Sequence, residues 1–295
     1  MGYEDRDYMR QGPGQGPGAS APRPPGHFDG APVAKFLLIA NVAIYLLGNF
    51  LMKDGQHSAF AKWGAFSITE GFYDFQIWRV LTFQFLHADS GHLLGNMLGM
   101  FFFAPHVERW MGSRPFTFYY FLCGIAGVVF YSFLYFTPGI MDQYAPYTRM
   151  VGASAGLFGI LAAFYKIAPN AKVYLFFIIP MPMRVFAMGY FAIQVLGVLF
   201  NWDNAGGSAG HLGGALFGLA LIKYQPLRSW LIRISEIGQK GGGSRVKTAK
   251  IVRERSLSPI EQSKEVDRIL EKISAHGIQS LTDKERETLD KARRK

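Results

Sequence analysis

The chain is predicted to be an all-α, polytopic membrane protein: a bundle of six membrane-crossing helices followed by a small C-terminal helical hairpin. Three observations predict it. Hydrophobic residues make up 49% of the 295 and charged residues only 18%. Mean hydropathy is +0.11 despite long polar ends, the mixture expected of a membrane bundle with soluble tails. Apolar blocks also recur through the middle of the chain at lengths approaching the roughly 20 residues that a helix needs to cross the hydrocarbon layer.

Residues 1–30, with GPGQGPG and APRPPG, are too polar and too rich in Pro and Gly to bury a core and are expected to form a disordered tail. The first apolar block follows this polar stretch, so it reads as a retained span and not as a signal peptide. The six blocks are Val33–Met52, His92–Val107, Phe116–Phe136, Val151–Ile167, Val185–Phe200 and Leu212–Tyr224, giving a membrane domain over residues 31–226. A further stretch, Val173–Met183, is short and interrupted by Pro180 and Pro182, which predicts an interfacial segment leading into the fifth helix. The single cysteine, Cys123, excludes an intrachain disulfide.

Beyond Tyr224 lie 17 of the 31 Lys and Arg but only 10 of the 21 Asp and Glu, so most of the net charge of +10 sits in the C-terminal tail. The positive-inside rule then places that tail, and with an even span count the N-terminus too, on the cytoplasmic side. Arg109, Arg114, Lys166, Lys172 and Arg184 fall in loops that this topology puts inside; Lys53, Lys62 and Arg79 fall in a long first outer loop. Basic and acidic residues alternate in the tail, which favours contact with anionic lipid over nucleic acid, and no nucleic-acid partner is expected. Residues 227–257 read as a basic linker containing the flexible GQKGGGS run. Residues 258–295 read as the hairpin. Ser258-Pro259-Ile260-Glu261 is a capping box, Val266, Ile269, Leu270 and Ile273 follow at helical spacing, Gly277 closes the helix, and Thr282-Asp283-Lys284-Glu285 caps a second one.

Four polar islands interrupt or flank the apolar blocks: Trp78-Arg79, His92-x-x-x-Asn96, GASAG around Ser154 and AGHLGG around His211. Polar side chains at membrane depth are costly unless they have a function. If spans alternate in direction, the second, fourth and sixth are parallel, and His92, Ser154 and His211 all lie near their outer ends at similar depth. Gly91, Gly95 and Gly99 on the second span, Gly152 and Gly156 on the fourth, and Gly210, Gly214 and Gly218 on the sixth recur every four residues, the small-xxx-small pattern of close helix packing. Close contact of the fourth and sixth helices puts the Ser154 hydroxyl within reach of the His211 imidazole, a nucleophile and its general base. No acidic residue falls in the spans, so the pair is a dyad; Asp89 and Asp203 are expected to be solvated loop residues. His92 and Asn96 share a helix face and can stabilise an oxyanion together with unpaired N–H groups at the start of the fourth helix. The loop Asn201–Gly210 is a candidate gate for water.

Each motif alone is weak. Gly18-Ala19-Ser20-Ala21 repeats the start of GASAG in the polar tail, and the strand-turn-helix setting of a hydrolase elbow is missing. His27, His57, His87, His106 and His276 read as ordinary histidines, forming no metal site.

Together and in this order, the motifs resemble those of the rhomboid intramembrane serine proteases over about residues 33–225. The resemblance implies that Ser154 is the nucleophile, His211 the base, His92 and Asn96 the oxyanion side with the Ser154 amide, and Trp78-Arg79 a structural part of the first outer loop. It also implies that Phe158 packs on the His211 ring. Gly210 departs from the alanine usual before the histidine. The implied activity is cleavage of transmembrane protein substrates within the lipid bilayer, with no cofactor. The hairpin resembles an extension of some bacterial rhomboids, which implies the inner membrane of a bacterium. The competing expectations are a catalytically silent rhomboid-like protein that binds transmembrane clients, and a transporter using the polar residues as a relay.

Overall fold

The computed structural model describes residues 26–51, 59–141, 143–176, 178–237, 267–273, 280–282 and 285. The chain divides into two compact units, Met1–Ile237 and Gly238–Lys295. In the first, the described helices are α1 (Pro32–Leu51), α2 (Ala59–Gly64), α3 (Arg79–Thr82), α4 (Ser90–Met111), α5 (Ser113–Tyr135), α6 (Ser154–Ile167), α7 (Met183–Leu199), α8 (Ala205–Lys223) and α9 (Gln225–Glu236). Among the described residues α1, α5 and α8 are long and apolar enough to cross a membrane, and α6 and α7 are shorter apolar helices. The 22-residue α4 carries His92, Asn96, His106, Glu108 and Arg109, which lower its apolar character.

Local chemistry sets the helix ends. The Asp89 carboxylate accepts a hydrogen bond from the His92 amide at 2.8 Å and caps α4. That amide holds its carboxyl below the usual carboxylate range. Asp89 is the exposed residue before the helix that the sequence suggests, and it serves in addition as the cap of α4. At the other end of α4, Gly112 takes a φ of +87°, turning the chain directly into α5. Glu108 lies inside α4 and is fully buried, an acid within a helix of the bundle where none was expected. Its carboxylate accepts from the amides of Val33 at 3.1 Å and Ala34 at 2.7 Å, so it satisfies the orphan donors and the positive pole of the α1 N-terminus. Just before α1, residues 27–30 form a turn whose His27 ring stacks on Phe101 at 4.1 Å, so the polar tail ends earlier than residue 30.

The centre of the unit is the contact of α5, α6 and α8, and glycines set its spacing. A Cβ at Gly214 would fall onto the Ala155 carbonyl, one at Gly218 onto Tyr119 Oη and the Gly159 backbone, and one at Gly156 onto the Tyr120 ring. The Tyr119 hydroxyl donates to the Gly159 carbonyl at 2.7 Å, locking α5 to α6. Gly210 presents its carbonyl to Gly127 of α5. The pattern does not extend along all of α4: Gly99 meets Leu157 of α6, but a Cβ at Gly95 would meet nothing within 4 Å.

Three segments differ from the sequence expectation. Lys172–Leu175 and Ile179–Pro182 form an antiparallel two-stranded hairpin, β1 and β2, in which Pro180 faces Tyr174 and Pro182 faces Lys172. Prolines are tolerated there because a two-stranded ribbon has only edges. The start of the expected linker is instead α9, which has Pro226 in its first turn. Its Leu231 is buried, and Leu227 and Ile234 are packed against the same core. Of the expected gate, Ala205–Gly210 is already helical in α8, leaving a short turn before it. Tyr144 staples that turn, its hydroxyl accepting from the Ala205 amide at 2.9 Å.

In the second unit, residues 267–273 are helical, with Ile269 buried. Thr282 and Glu285 form a reciprocal capping box, Thr282 N–H to the carboxylate at 2.9 Å and Glu285 N–H to the Thr282 hydroxyl at 3.4 Å. Lys272 and Arg268 pair with the same carboxylate at 2.9 and 3.1 Å. These bonds, the Thr282 amide first, hold the Glu285 carboxyl down at about 2. The Ser258–Glu261 box, Val266 and Gly277 lie outside the described residues.

Candidate active site

Ser154 is the first residue of α6, and His211 lies in the second turn of α8. Because Gly214 lets α8 settle onto the Ala155 backbone, the two side chains meet: His211 Nε2 is 2.7 Å from Ser154 Oγ. Phe158, one turn beyond Ser154, stacks on the imidazole with ring centroids 4.3 Å apart and planes 8° from parallel. Tyr190 of α7 packs on the far side of Phe158 at 4.8 Å. The histidine thus has one face covered, one nitrogen on the serine and a fixed ring plane.

Gly152 explains the approach to Ser154 differently from the helix-packing role expected for it. It precedes α6 with a φ of +130°, a conformation hard for any residue with a side chain. A Cβ there would lie 2.8 Å from the His92 ring and 3.4 Å from Ser154 Oγ. His92 therefore flanks Ser154 across a glycine-sized gap. Asn96, a turn further along α4, is buried, and its Nδ2 donates to His87 Nε2 at 3.0 Å. Burial, reinforced by the neighbouring His92, pulls His87 down to about 4, so at neutral pH its ring is uncharged and Nε2 can accept that bond. The second N–H of Asn96 stays available for an acceptor. At the start of α6 the amides of the first turn have no intrahelical partner, and Ala153 supplies no side-chain cap.

The first loop holds this arrangement from outside. Arg79 is 2% exposed and its guanidinium is fully engaged: on the Ala65 carbonyl, on the Lys62 carbonyl at 2.9 Å, on Gln76 Oε1 at 2.8 Å and on Glu70 at 3.2 Å. Trp78 Nε1 donates to the Trp63 carbonyl at 3.1 Å. The loop so fixed pairs Phe66 with Met150 through two backbone hydrogen bonds, and the Phe83 carbonyl accepts from the Gly152 amide at 3.0 Å. Trp78 and Arg79 thus touch neither Ser154 nor His211; they brace the loop that pairs with the segment leading into α6. A cavity of about 500 Å³ opens beside His92 and Asp89, bordered by Tyr144, Arg149, Met150 and Asn204.

A family described as the rhomboid domain matches residues 74–225. The chain belongs to the rhomboid family. It is an integral membrane protein of mainly helical fold, and its family acts on membrane-embedded substrates. Residues 259–295 match a second family, described only as a family of unknown function (DUF6576). The rhomboid chain is 27% identical over 191 residues to "Rhomboid-like protease 3" of Toxoplasma gondii, covering 64% of this chain and 67% of that protein. It is 26% identical over 205 residues to "RHOMBOID-like protein 12, mitochondrial" of Arabidopsis thaliana, covering 67% of this chain and 59% of the relative. To "Rhomboid protein 1, mitochondrial" of Saccharomyces cerevisiae the identity is 32% over 136 residues, 46% of this chain and 38% of the relative. The chain thus spans between about a third and two thirds of the length of these relatives.

Two site residues of this rhomboid escape the sequence argument. Gln194 of α7 lies with Oε1 2.8 Å from His211 Nδ1, and His87 holds Asn96. Gln194 carries a readable signal, a polar residue inside an apolar block. His87 does not, since a loop histidine five residues before a motif has no periodicity to place it. Among the described residues no group of three or more His, Cys, Asp or Glu is arranged to hold a metal ion.

Proposed function

We propose that this rhomboid is an intramembrane serine endopeptidase that cleaves transmembrane protein substrates with a Ser154–His211 dyad. The observation that carries the proposal is the 2.7 Å contact between His211 Nε2 and Ser154 Oγ, on a ring stacked against Phe158. A serine hydroxyl becomes a competent nucleophile when a positioned base removes its proton during attack. His211 Nε2 takes the proton from Oγ as the Oγ–C bond forms at the scissile carbonyl. The oxyanion is received by the Asn96 amide, His92 and the free amides at the start of α6. Collapse breaks the C–N bond, and His211 delivers its proton to the departing amine. Water, deprotonated by the same imidazole, then attacks the acyl-enzyme and releases a carboxylate and free Ser154.

A substrate helix hides its carbonyls in hydrogen bonds, so segments that unwind easily are the favoured cleavage points. The excess of basic residues after Tyr224 supports an orientation with the C-terminal unit in the cytoplasm. Placement in a bacterial plasma membrane rests on the C-terminal extension alone, since two of the relatives above are named as mitochondrial.

The test is cleavage of a single-span substrate by the purified chain in liposomes, with fluorophosphonate labelling as a second readout. Wild type is expected to cleave and to be labelled, and Ser154→Ala to lose both. Cleavage at the wild-type rate in Ser154→Ala would sink the mechanism.

A further inference from the structure

We propose that Gln194 is a positioning residue for the base: its carboxamide oxygen accepts the Nδ1 proton of His211 and holds the imidazole in the tautomer whose Nε2 lone pair faces Ser154. The inference rests on the Ser154–His211 reading above and concerns the partner of that histidine.

The geometry is specific. Gln194 is one of the few buried residues of α7, with Met183, Gly197 and Val198, and the only one of them with a polar side chain. On a helix whose other faces expose Met188, Ile193, Leu196 and Leu199, a buried amide is costly unless it is satisfied. Its oxygen lies 2.8 Å from His211 Nδ1, and its Nε2 lies 3.4 Å from the Tyr190 carbonyl of its own helix. A carbonyl can only accept, so the amide nitrogen belongs on the Tyr190 side and the oxygen on the histidine side. With the oxygen facing it, Nδ1 must carry the proton, and a neutral imidazole then has its lone pair on Nε2, 2.7 Å from Ser154 Oγ. The reverse tautomer would point two lone pairs at each other at Nδ1 and present an N–H to a hydroxyl that has to lose its own proton. In the familiar serine triad a carboxylate performs this task. Here a neutral amide does so without burying a charge at membrane depth.

Phe158 stacking sets the ring plane but leaves a flipped ring with the same outline. Gln194 removes that degeneracy, because only one orientation meets an acceptor on one edge and a hydroxyl on the other.

The experiment uses the full chain in liposomes with Gln194→Met, which keeps length and volume but removes the acceptor, and Gln194→Glu, which keeps a carboxyl oxygen in place in either protonation state. Steady-state cleavage is combined with nitrogen-15 spectroscopy of histidine-labelled protein, the His211 signals being assigned by their loss in His211→Ala. Gln194→Met is expected to lower kcat by about 10- to 100-fold, part of the contribution of a positioned base, with KM changed less than about twofold. Gln194→Glu is expected to return kcat to within about threefold of wild type, as an acceptor at Nδ1 is what the base requires. The spectrum is expected to show a protonated Nδ1 and bare Nε2 in wild type and a mixture of tautomers in Gln194→Met. Unchanged kcat in Gln194→Met, a loss confined to KM, no recovery in Gln194→Glu, or the same tautomer in both proteins would each overturn the proposal. If wild type does not cleave, or Ser154→Ala still does, the protease reading fails, and the tautomer comparison alone still decides the role of Gln194.

Discussion

Helices α8 and α7 are neighbours that contribute to one site and are held in opposite ways. Along α8 most buried positions are small, from Ala205 through Gly210, Gly213 and Gly214 to Gly218, with Leu212, Leu221 and Ile222 the larger ones, and Gly213, Gly214 and Gly218 lie against the backbones of α5 and α6. Along α7 burial is confined to Met183, Gln194, Gly197 and Val198, while Met188, Ile193 and Leu199 face outward. The difference teaches where precision is kept. The contact between Ser154 and His211 spans two helices that cannot shift without backbone collision, whereas the outer partner of His211 comes from a helix with fewer buried positions. In lipid, apolar surface provides no drive for helix association, so backbone packing at glycine and polar contacts carry the adhesion. Helix α8 relies mainly on the first device, and α7 joins the second, at Gln194, to a single glycine contact, Gly197 against Ser208.

The largest expected effect comes from breaking the glycine contact. Gly214→Val would place a branched side chain on the Ala155 carbonyl, and α6 and α8 would have to separate. Misplacing a reacting group by about 1 Å can cost on the order of 100-fold, so at least that loss in kcat/KM is expected, with much of the protein failing to reach the folded state. The matched control is Gly95→Ala, where nothing lies within 4 Å of the added carbon; replacing an open helical glycine is expected to stabilise by about 0.5–1 kcal/mol. Rates and thermal midpoints of the two variants in the same detergent would check both, and equal behaviour would remove the argument that α8 is held by its glycines.

An intermediate effect is expected on the far side of the nucleophile. Arg79→Ala leaves the Ala65 and Lys62 carbonyls without their donor, while Glu70 keeps Arg149 as a second cation at 3.5 Å. Leaving a buried carbonyl without its donor costs about 1–3 kcal/mol, and the two together are expected to lower the thermal midpoint by on the order of 10 °C. Arg79→Lys keeps the charge but not the fork of donors and is expected to recover only part of it. Since Arg79 touches neither Ser154 nor His211, the protein that remains folded should cleave at a rate near wild type. A rate loss exceeding the loss of folded protein would mean that the first loop tunes the site as well as supporting it.

How much of this was legible in the chain follows the same division. The α8 side could be read because parallel spans and glycines every four residues bring the fourth and sixth blocks together, so the contact of Ser154 with His211 and the packing at Gly214 and Gly218 follow from the joint placement of motifs that are weak alone. The positions of α5, α6 and α7 follow closely from the apolar blocks, because hydrophobic thickness dictates helix length, whereas α4 runs on to Met111 and α8 starts at Ala205, seven residues before its block. What spacing could not supply was chemistry that arrives from another element. Gln194 reaches His211 from α7, Glu108 reaches the start of α1 from α4, and His87 reaches Asn96 from a loop. Gly152 was legible as a small residue but not as a left-handed turn under His92. The hairpin at Lys172–Pro182 was hidden by its prolines, which argue against strands unless the strands are edges. The amphipathic spacing of Leu227, Leu231 and Ile234 in α9 was present in the chain but masked by the surrounding basic residues.

The smallest expected effect sharpens the comparison from the loose side. Met188 is 66% and Leu199 70% exposed on α7, on surfaces that in a membrane meet lipid tails. Truncating either to alanine exchanges side chain–lipid contact for lipid–lipid contact and opens no cavity, so Met188→Ala and Leu199→Ala are each expected to change stability by no more than about 0.5 kcal/mol. Val198, on the same helix but buried, should differ: Val198→Ala removes two methyl groups from a packed site and is expected to cost on the order of 1–2 kcal/mol. Unfolding the three variants in one detergent, alongside cleavage rates, separates the faces of α7. Should Met188→Ala or Leu199→Ala cost as much as Val198→Ala, the outer face of α7 would be packed against something, and the contrast between a clamped α8 and a loosely attached α7 would fail.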